Sequence, residues 1–205
     1  FSLLIFLSSL SLQGQSEDQQ KIRTAFDNYK SAIRYSNGDV ALAFIDQNTR
    51  DYYQEMTNAI KTADSLSVRD MNVLDKIMVL SARHRIPEEK AISMEGDQLF
   101  IYAVKYGMVA KNSVENVEIG EIVVNGNTAT ASLVASGQPV PMNFEFNREN
   151  NKWKIDLTSL FEISEAGMLQ VIEQKGVDEN MFIEKIIELS SGIPIRKNLW
   201  KPLIK

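Results

Sequence analysis

Glu121 is a candidate general base, because its place in a predicted strand could point its carboxylate into the interior of the fold. It stands in residues 117–160, where alternating apolar and polar side chains predict four antiparallel strands. A three-residue loop at residues 125–127 would pair Glu121 with Ala131 on the apolar face, and a two-residue loop would place Glu118 on that face instead. A carboxylate among apolar side chains has a raised pKa and can act as a base. The alternative is a β-bulge that turns the acid out to water.

Tyrosines and one histidine are the remaining candidates for chemistry. Tyr29, Tyr52 and Tyr53 recur at helical spacing with apolar residues, a pattern more typical of core packing than of catalysis. His84 stands between two arginines near a predicted helix end, which favours an exposed or capping role. One histidine and no cysteine cannot form an imidazole-rich or thiolate metal site. The sequence therefore predicts no catalytic residue, no metal and no cofactor.

The predicted strands carry one buried face. The apolar positions of the last two strands are Met142, Phe144, Phe146, Trp153, Ile155 and Leu157. The second strand carries the small residues Ala129 and Ala131 on the same face, and these would leave room inside a curved sheet. A turn at residues 148–151 would pair Glu145 with Lys154 across the last two strands. The pocket candidates are Glu121, Tyr29, Tyr52, Tyr53, Ala131, Phe144 and Trp153.

Amphipathic helices precede and follow the strands. Residues predicted to begin helices are Ser16, Asp39, Thr49, Pro87, Asp97, Ser164 and Asp178, and those predicted to end them include Gly176 and Gly192. Helices followed by a strand meander indicate an α+β fold, with N-terminal helices packed on a curved antiparallel sheet. We expect one cone-like domain at residues 16–160 and a C-terminal helical extension at residues 161–205 packed on it.

The first residues, FSLLIFLSSLSL, form an apolar run followed by small polar residues. This pattern is typical of a secretory signal peptide, and the run is too short to span a bilayer. We therefore interpret residues 1–15 as a signal remnant and expect a periplasmic or secreted protein without an integral membrane span. The alternative is an N-terminal helix of the mature fold.

Composition restricts the function classes. The 205 residues carry a formal net charge of -5, which argues against nucleic-acid binding because phosphate neutralisation needs a basic face. The tail contains Arg196, Lys197, Lys201 and Lys205 around Trp200 and could contact an anionic surface. More often such a tail docks its tryptophan on the protein body and leaves its lysines in water.

Three segments carry a family resemblance: IRTAFDNYKSAIRYSNGDVALAFI, DYYQEM and MNFEFNRENNKWKIDL. Over residues 17–160 the chain resembles the nuclear transport factor two-like superfamily. That resemblance implies a conical fold in which a curved sheet wraps a long helix and the open end holds a pocket for a small apolar molecule. The later segments DENMFIEKIIELSSG and NLWKPL resemble the C-terminal extension of secreted bacterial members.

Relatives in that superfamily include ketosteroid isomerases, limonene epoxide hydrolases and polyketide cyclases, so the fold alone does not decide the function. We first expect a non-catalytic exported module that binds a small apolar ligand or a protein partner. The first alternative is an isomerase or hydrolase with Glu121 as base and a tyrosine as donor, and it requires that Glu121 face the pocket. The second is a structural protein that forms a homodimer through its outer sheet face.

Overall fold

The structure, a computed structural model, describes the backbone of residues 2–109 and 111–204 and the side chains of residues 17–109, 111 and 113–204. The side chains of the predicted signal remnant, residues 1–15, lie outside the described residues, and the signal assignment stays a prediction. Helix α1 runs through Ser16 without a break, so a helix start at Ser16 is wrong. No helix in the described part of the chain is long and apolar enough to cross a membrane.

The fold is α+β, as the sequence predicted. The helices are α1 (Ser2–Arg34), α2 (Gly38–Leu42), α3 (Gln47–Thr62), α4 (Ser65–Asp70), α5 (Val73–Arg85), α6 (Glu88–Ser93), α7 (Gly96–Lys105), α8 (Phe161–Lys175) and α9 (Glu179–Ser191). The strands are β1 (Val117–Asn125), β2 (Thr128–Ala135), β3 (Gln138–Glu149) and β4 (Lys152–Asp156). They form an antiparallel sheet in the order β1-β2-β3-β4, and single turns of 3-10 helix occupy Lys111–Val114 and Leu157–Leu160.

The chain divides into two compact units, each built from two segments. The first unit comprises Phe1–Thr49 and Ile101–Ser159, and the second comprises Arg50–Phe100 and Leu160–Lys205. The first unit therefore contains the sheet and α1, and the second contains α8 and α9. The predicted domain at residues 16–160 and its extension at residues 161–205 stay a prediction.

In the first unit the sheet curls against α1. The ring of Phe26 on α1 lies 5.2 Å from that of Phe144 on β3, centroid to centroid. Phe146 and Ile155 are fully buried, which confirms that the predicted apolar face is the inner one. Burial of such large side chains contributes about 1.5–3 kcal/mol each.

Polar side chains of α1 cover the outer edge of β1. Gln19 donates to the Ile122 carbonyl at 2.9 Å, and Arg23 donates to the Ile119 carbonyl at 2.8 Å. Lys30 donates to a third edge carbonyl, that of Val117. These bonds satisfy backbone acceptors that a sheet edge leaves unpaired.

The β1–β2 turn differs from the predicted one. Asn125 pairs with Thr128, so the turn consists of Gly126 and Asn127, and Gly126 has a φ of 61°. Glycine at the first turn position suits a tight hairpin turn of the II′ type. Neither predicted register holds beside the turn, since Ile122 pairs with Ala131.

The β3–β4 turn is shorter than predicted. Asn150 and Asn151 alone form it, both with positive φ, and asparagine tolerates that conformation. Asn147 therefore pairs with Lys154, and Glu145 faces Asp156 rather than Lys154. The predicted pairing was wrong by two residues. A shift of two keeps every side chain on its predicted face, because strand side chains alternate with a period of two.

Several helix ends lie at the cap residues that the sequence predicted. Asp178 accepts a hydrogen bond from the Met181 amide at 3.0 Å and begins α9, and Gly176 and Gly192 end α8 and α9 in the left-handed conformation. Pro87 precedes α6 as predicted, and α8 begins before Ser164.

Other predicted caps were wrong. Asn37, not Asp39, caps α2, because its side chain accepts a hydrogen bond from the Val40 amide. Asp46 accepts a hydrogen bond from the Thr49 amide at 2.9 Å, so Thr49 lies inside α3. In each case a nearby polar side chain competes for the same cap position.

In the second unit α5 packs against α8 and α9. The C-terminal tail docks in the same unit. The Trp200 indole donates to Glu184 at 2.6 Å, the Arg69 guanidinium lies 4.6 Å from the Trp200 ring, and Leu199 is buried. Docking of the tail tryptophan was the favoured alternative, and it is confirmed. Lys205 lies outside the described residues.

Candidate functional site

Glu121 lies at a β-bulge and faces solvent. The β1–β2 pairing shifts between Ile119 and Ile122, and Glu121 at the shift is exposed. Its amide donates to the Ser132 hydroxyl at 2.9 Å, which ties the bulge to β2. The bulge alternative is thereby confirmed. Because Glu121 is exposed and does not face the apolar interior, the reason for assigning it as a pocket base is gone.

Ala131, Phe144 and Tyr29 belong to the core of the first unit. Ala131 pairs directly with Phe144 across β2 and β3, and both are buried. Phe26 of α1 packs on Phe144 and is itself buried. Tyr29, one turn along α1 from Phe26, is buried as well.

Tyr52 and Tyr53 belong to the second unit, where they pack with other aromatic rings. The Tyr52 hydroxyl donates to Asp75 at 2.9 Å, and burial together with the Asp75 charge raises the Tyr52 pKa far above its ordinary value. Burial also raises the pKa of Tyr53, whose ring lies edge-on to Phe100 at 5.1 Å. These neutral, packed phenols have the properties of core residues.

Trp153 is the predicted site residue that lies in a groove. The groove, in the first unit, has a volume of about 460 Å³. Its lining residues come from α1, the end of α2 and the β3–β4 turn: Glu17, Gln20, Lys21, Thr24, Ala25, Asn28, Ala43, Phe44, Asn151, Lys152 and Trp153. We call it the α1–β4 groove. Of the predicted set, only Trp153 lines it.

Two side chains, Asp18 and Arg148, contact the Trp153 ring. Its indole N–H donates to Asp18 at 3.2 Å, and the Arg148 guanidinium lies 4.5 Å from the ring centroid. Arg148 also forms an ion pair with Asp18. A cation over an indole face is attracted by the ring's charge distribution. The side chain is 4% exposed, so the groove has a fixed aromatic wall.

The rest of the groove combines apolar and polar surface. Ala25, Ala43 and Phe44 supply apolar atoms, and the exposed Lys21 is paired with Glu17 at 2.7 Å. A smaller groove of about 330 Å³ adjoins it, because Asn28 and Phe44 line both.

The sequence pattern held one signal of the groove. Gln20, Thr24 and Asn28 recur every four residues on α1 and form a polar stripe. Such a stripe is equally typical of a solvated helix face. The sequence predicts Asn151 in a turn and Lys152 on the polar face of the last strand, and nothing in their identity points to a groove.

The two backbone groups of Trp153 point away from β3. Ile155 donates to the Phe44 carbonyl at 2.8 Å and accepts from the Asp46 amide at 3.0 Å, so the backbone of Ile155 points away from β3. Backbone direction alternates along a strand, and Trp153, two residues earlier, therefore points the same way.

Within the described residues, no three acidic or histidine side chains come together as a metal cluster. Comparisons of the chain with protein-family models, with curated proteins and with solved structures find no match. The resemblance to the nuclear transport factor two-like superfamily stays a prediction from the sequence. The function has to be argued from the groove itself.

Proposed function

We propose that this chain is a non-catalytic binding module whose α1–β4 groove receives the apolar part of a small ligand or of a protein partner. One observation carries this proposal: the groove is lined by an aromatic ring, that of Trp153, which Asp18 and Arg148 already hold in place. A preformed wall lowers the entropy lost on binding.

The mixed lining supports an amphipathic occupant. Binding sites for small molecules are commonly concave, with apolar walls and a few polar groups that orient the ligand. Phe44 and Trp153 offer the apolar contact, and Asn28 and Lys152 offer polar atoms at the rim. The family resemblance implied a pocket for a small apolar molecule, whereas the lining of this groove is partly polar.

A catalytic role has less support. An isomerase or hydrolase of the expected type needs a base inside the site, and exposed Glu121 is not among the groove residues. Export, expected from the apolar run in residues 1–15, remains part of the proposal.

The groove can be tested with anilinonaphthalenesulfonate, an aromatic anion that suits both Trp153 and the lysines. Binding is followed through the NMR signal of the Trp153 indole N–H. Thr24→Trp would fill the groove, and it should fold, because Thr24 is exposed and its hydroxyl bonds to the Gln20 carbonyl of its own helix. Asp27→Trp is the matched control, since Asp27 is exposed on α1 outside the groove.

We expect the probe to shift the Trp153 signal in the wild type and in Asp27→Trp, and to leave it unchanged in Thr24→Trp. If the wild type and both variants bind the probe equally, the probe binds outside the α1–β4 groove. Absence of a Trp153 shift in the wild type would contradict the proposal.

A further inference from the structure

We infer that the α1–β4 groove binds an extended peptide segment of a partner protein, which adds to the free edge of β4 beside Trp153. This inference rests on the proposed binding role of the same groove. It adds the chemical class of the occupant: a peptide backbone in the β conformation, with an acidic side chain near Lys152.

The hydrogen-bond pattern of the hairpin shows in which direction the Trp153 backbone groups point. Glu149 and Lys152 close a two-residue turn, and such closing residues exchange their backbone hydrogen bonds. The next pair, Arg148 and Trp153, is then of the non-hydrogen-bonded kind. The Trp153 amide and carbonyl therefore point away from β3, in agreement with the outward bonds of Ile155.

The chain covers only part of this edge. Residues 44–46 bridge in parallel to Ile155 and stop there. A continuation would need the Phe44 amide to bond the Trp153 carbonyl, but that amide donates to the Ala41 carbonyl at 3.0 Å at the end of α2. Within the described residues the Trp153 backbone groups thus have no backbone partner.

The Trp153 amide and carbonyl point to the same side of β4. A strand laid along the edge would pair both groups at once, which is how extended peptides add to exposed sheet edges. A compact ligand with one polar group would satisfy at most one of them.

The groove lining combines residues from beside this edge with residues of α1. Ala43 and Phe44 immediately precede Ile45, which bridges to Ile155, and Thr24 and Asn28 come from α1. Exposed Lys152 next to Trp153 favours a carboxylate on the peptide.

The test uses a capped pentapeptide of alternating valine and threonine that ends in aspartate. Hydrogen exchange of the Trp153 backbone amide is measured by NMR on the full chain, with and without peptide. We expect exchange to slow by about tenfold on binding, which corresponds to about 1.4 kcal/mol. Thr24→Trp should abolish this protection, and Asp27→Trp should keep it.

Two N-methylated peptides give a sharper control. Methylation on alternate residues removes the amide donors of one edge of the strand only, because successive amides point to opposite sides. One analogue should lose binding and the other should retain it. Equal binding of both analogues, or a Trp153 amide that already exchanges slowly in the free protein, would overturn the inference.

The outcomes separate this inference from the proposed function. If anilinonaphthalenesulfonate binds at Trp153 and the peptide does not, the peptide inference is wrong and the binding role stands. If neither binds, both are wrong. If Trp153 becomes protected with rising protein concentration in the absence of peptide, the occupant is a second copy of this chain, and the partner-peptide inference is overturned.

Discussion

Arg83 and His84 show how far a residue's role can depart from its sequence pattern. Their cationic helix end suggests exposure, yet both are buried. Arg83 donates to the Ile60 carbonyl at 3.0 Å and to the Ala59 carbonyl at 2.9 Å, which caps the last turn of α3. Burial lowers the pKa of Arg83 to about 10, and the side chain remains charged at neutral pH. A sequence shows the charge of such residues but not the carbonyls that they meet.

The expected exposure of His84 was wrong for a related reason. The ring is 1% exposed, and its Nε2 lies 3.1 Å from the Ser191 hydroxyl. Burial lowers the pKa of His84 below its ordinary value of 6.5, a backbone hydrogen bond to Ile193 opposes this, and the charge of Arg196 adds to it. Arg85 acts in the same direction as Arg196. Folding therefore favours the neutral ring.

His84 should make the protein less stable in mild acid. Below about pH 6.5 the unfolded chain binds a proton that the folded chain resists, so the free energy of unfolding falls as the pH decreases through that range. We expect His84→Gln to flatten this dependence between about pH 7 and pH 5. Urea unfolding at several pH values measures it. An identical pH dependence in both proteins would show that other groups, such as carboxylates, cause the whole effect.

The elements were more predictable in type than in register. Alternation identified the strands and their inner faces, and Gly176, Asp178 and Gly192 marked helix ends, because these signals are local. The two-residue turn at Asn150 and Asn151 could not be distinguished from a longer loop, since every residue from 148 to 151 is turn-compatible. The bulge at Glu121 depends on the Ser132 contact, which no local pattern contains.

The Asn150 turn supports a direct stability prediction. Asn150 is exposed and has a φ of 51°, a conformation that costs most other residues about 1–2 kcal/mol. Asn150→Val should therefore lower the free energy of unfolding by roughly that amount, and Asn150→Gly should not lower it. Urea denaturation followed by circular dichroism gives both values. If Asn150→Val leaves the free energy of unfolding unchanged, the turn is longer than two residues, as the sequence predicted.

At the scale of the whole molecule, the order of the chain conceals the division into two units. Helices α4, α5 and α6 precede the sheet in sequence, yet they belong to the second unit with α8 and α9. The expected division at residue 160 follows the change from strands to helices along the chain. Contacts between distant segments, such as α5 with α9, define the two units, and composition does not reveal them.

A fragment that ends at residue 160 tests two divisions of the chain: a domain that ends at residue 160, and the two units that each combine two segments. It lacks α9, whose Ile183 and Ile187 are fully buried, and it leaves the packing faces of α5 uncovered. We expect the amides of α5 to lose their protection from hydrogen exchange in this fragment, because their core partners are gone.

Two substitutions in the full chain provide the matched control for that deletion. Ile187→Ala removes buried apolar surface and should cost about 2–5 kcal/mol, whereas Leu189→Ala, at an exposed position on the same helix, should stay within about 0.5 kcal/mol. If α5 remains fully protected in the fragment and Ile187→Ala is tolerated, α9 is an accessory of a domain that ends at residue 160. Loss of protection together with a costly Ile187→Ala would instead make α9 an integral part of the second unit's core.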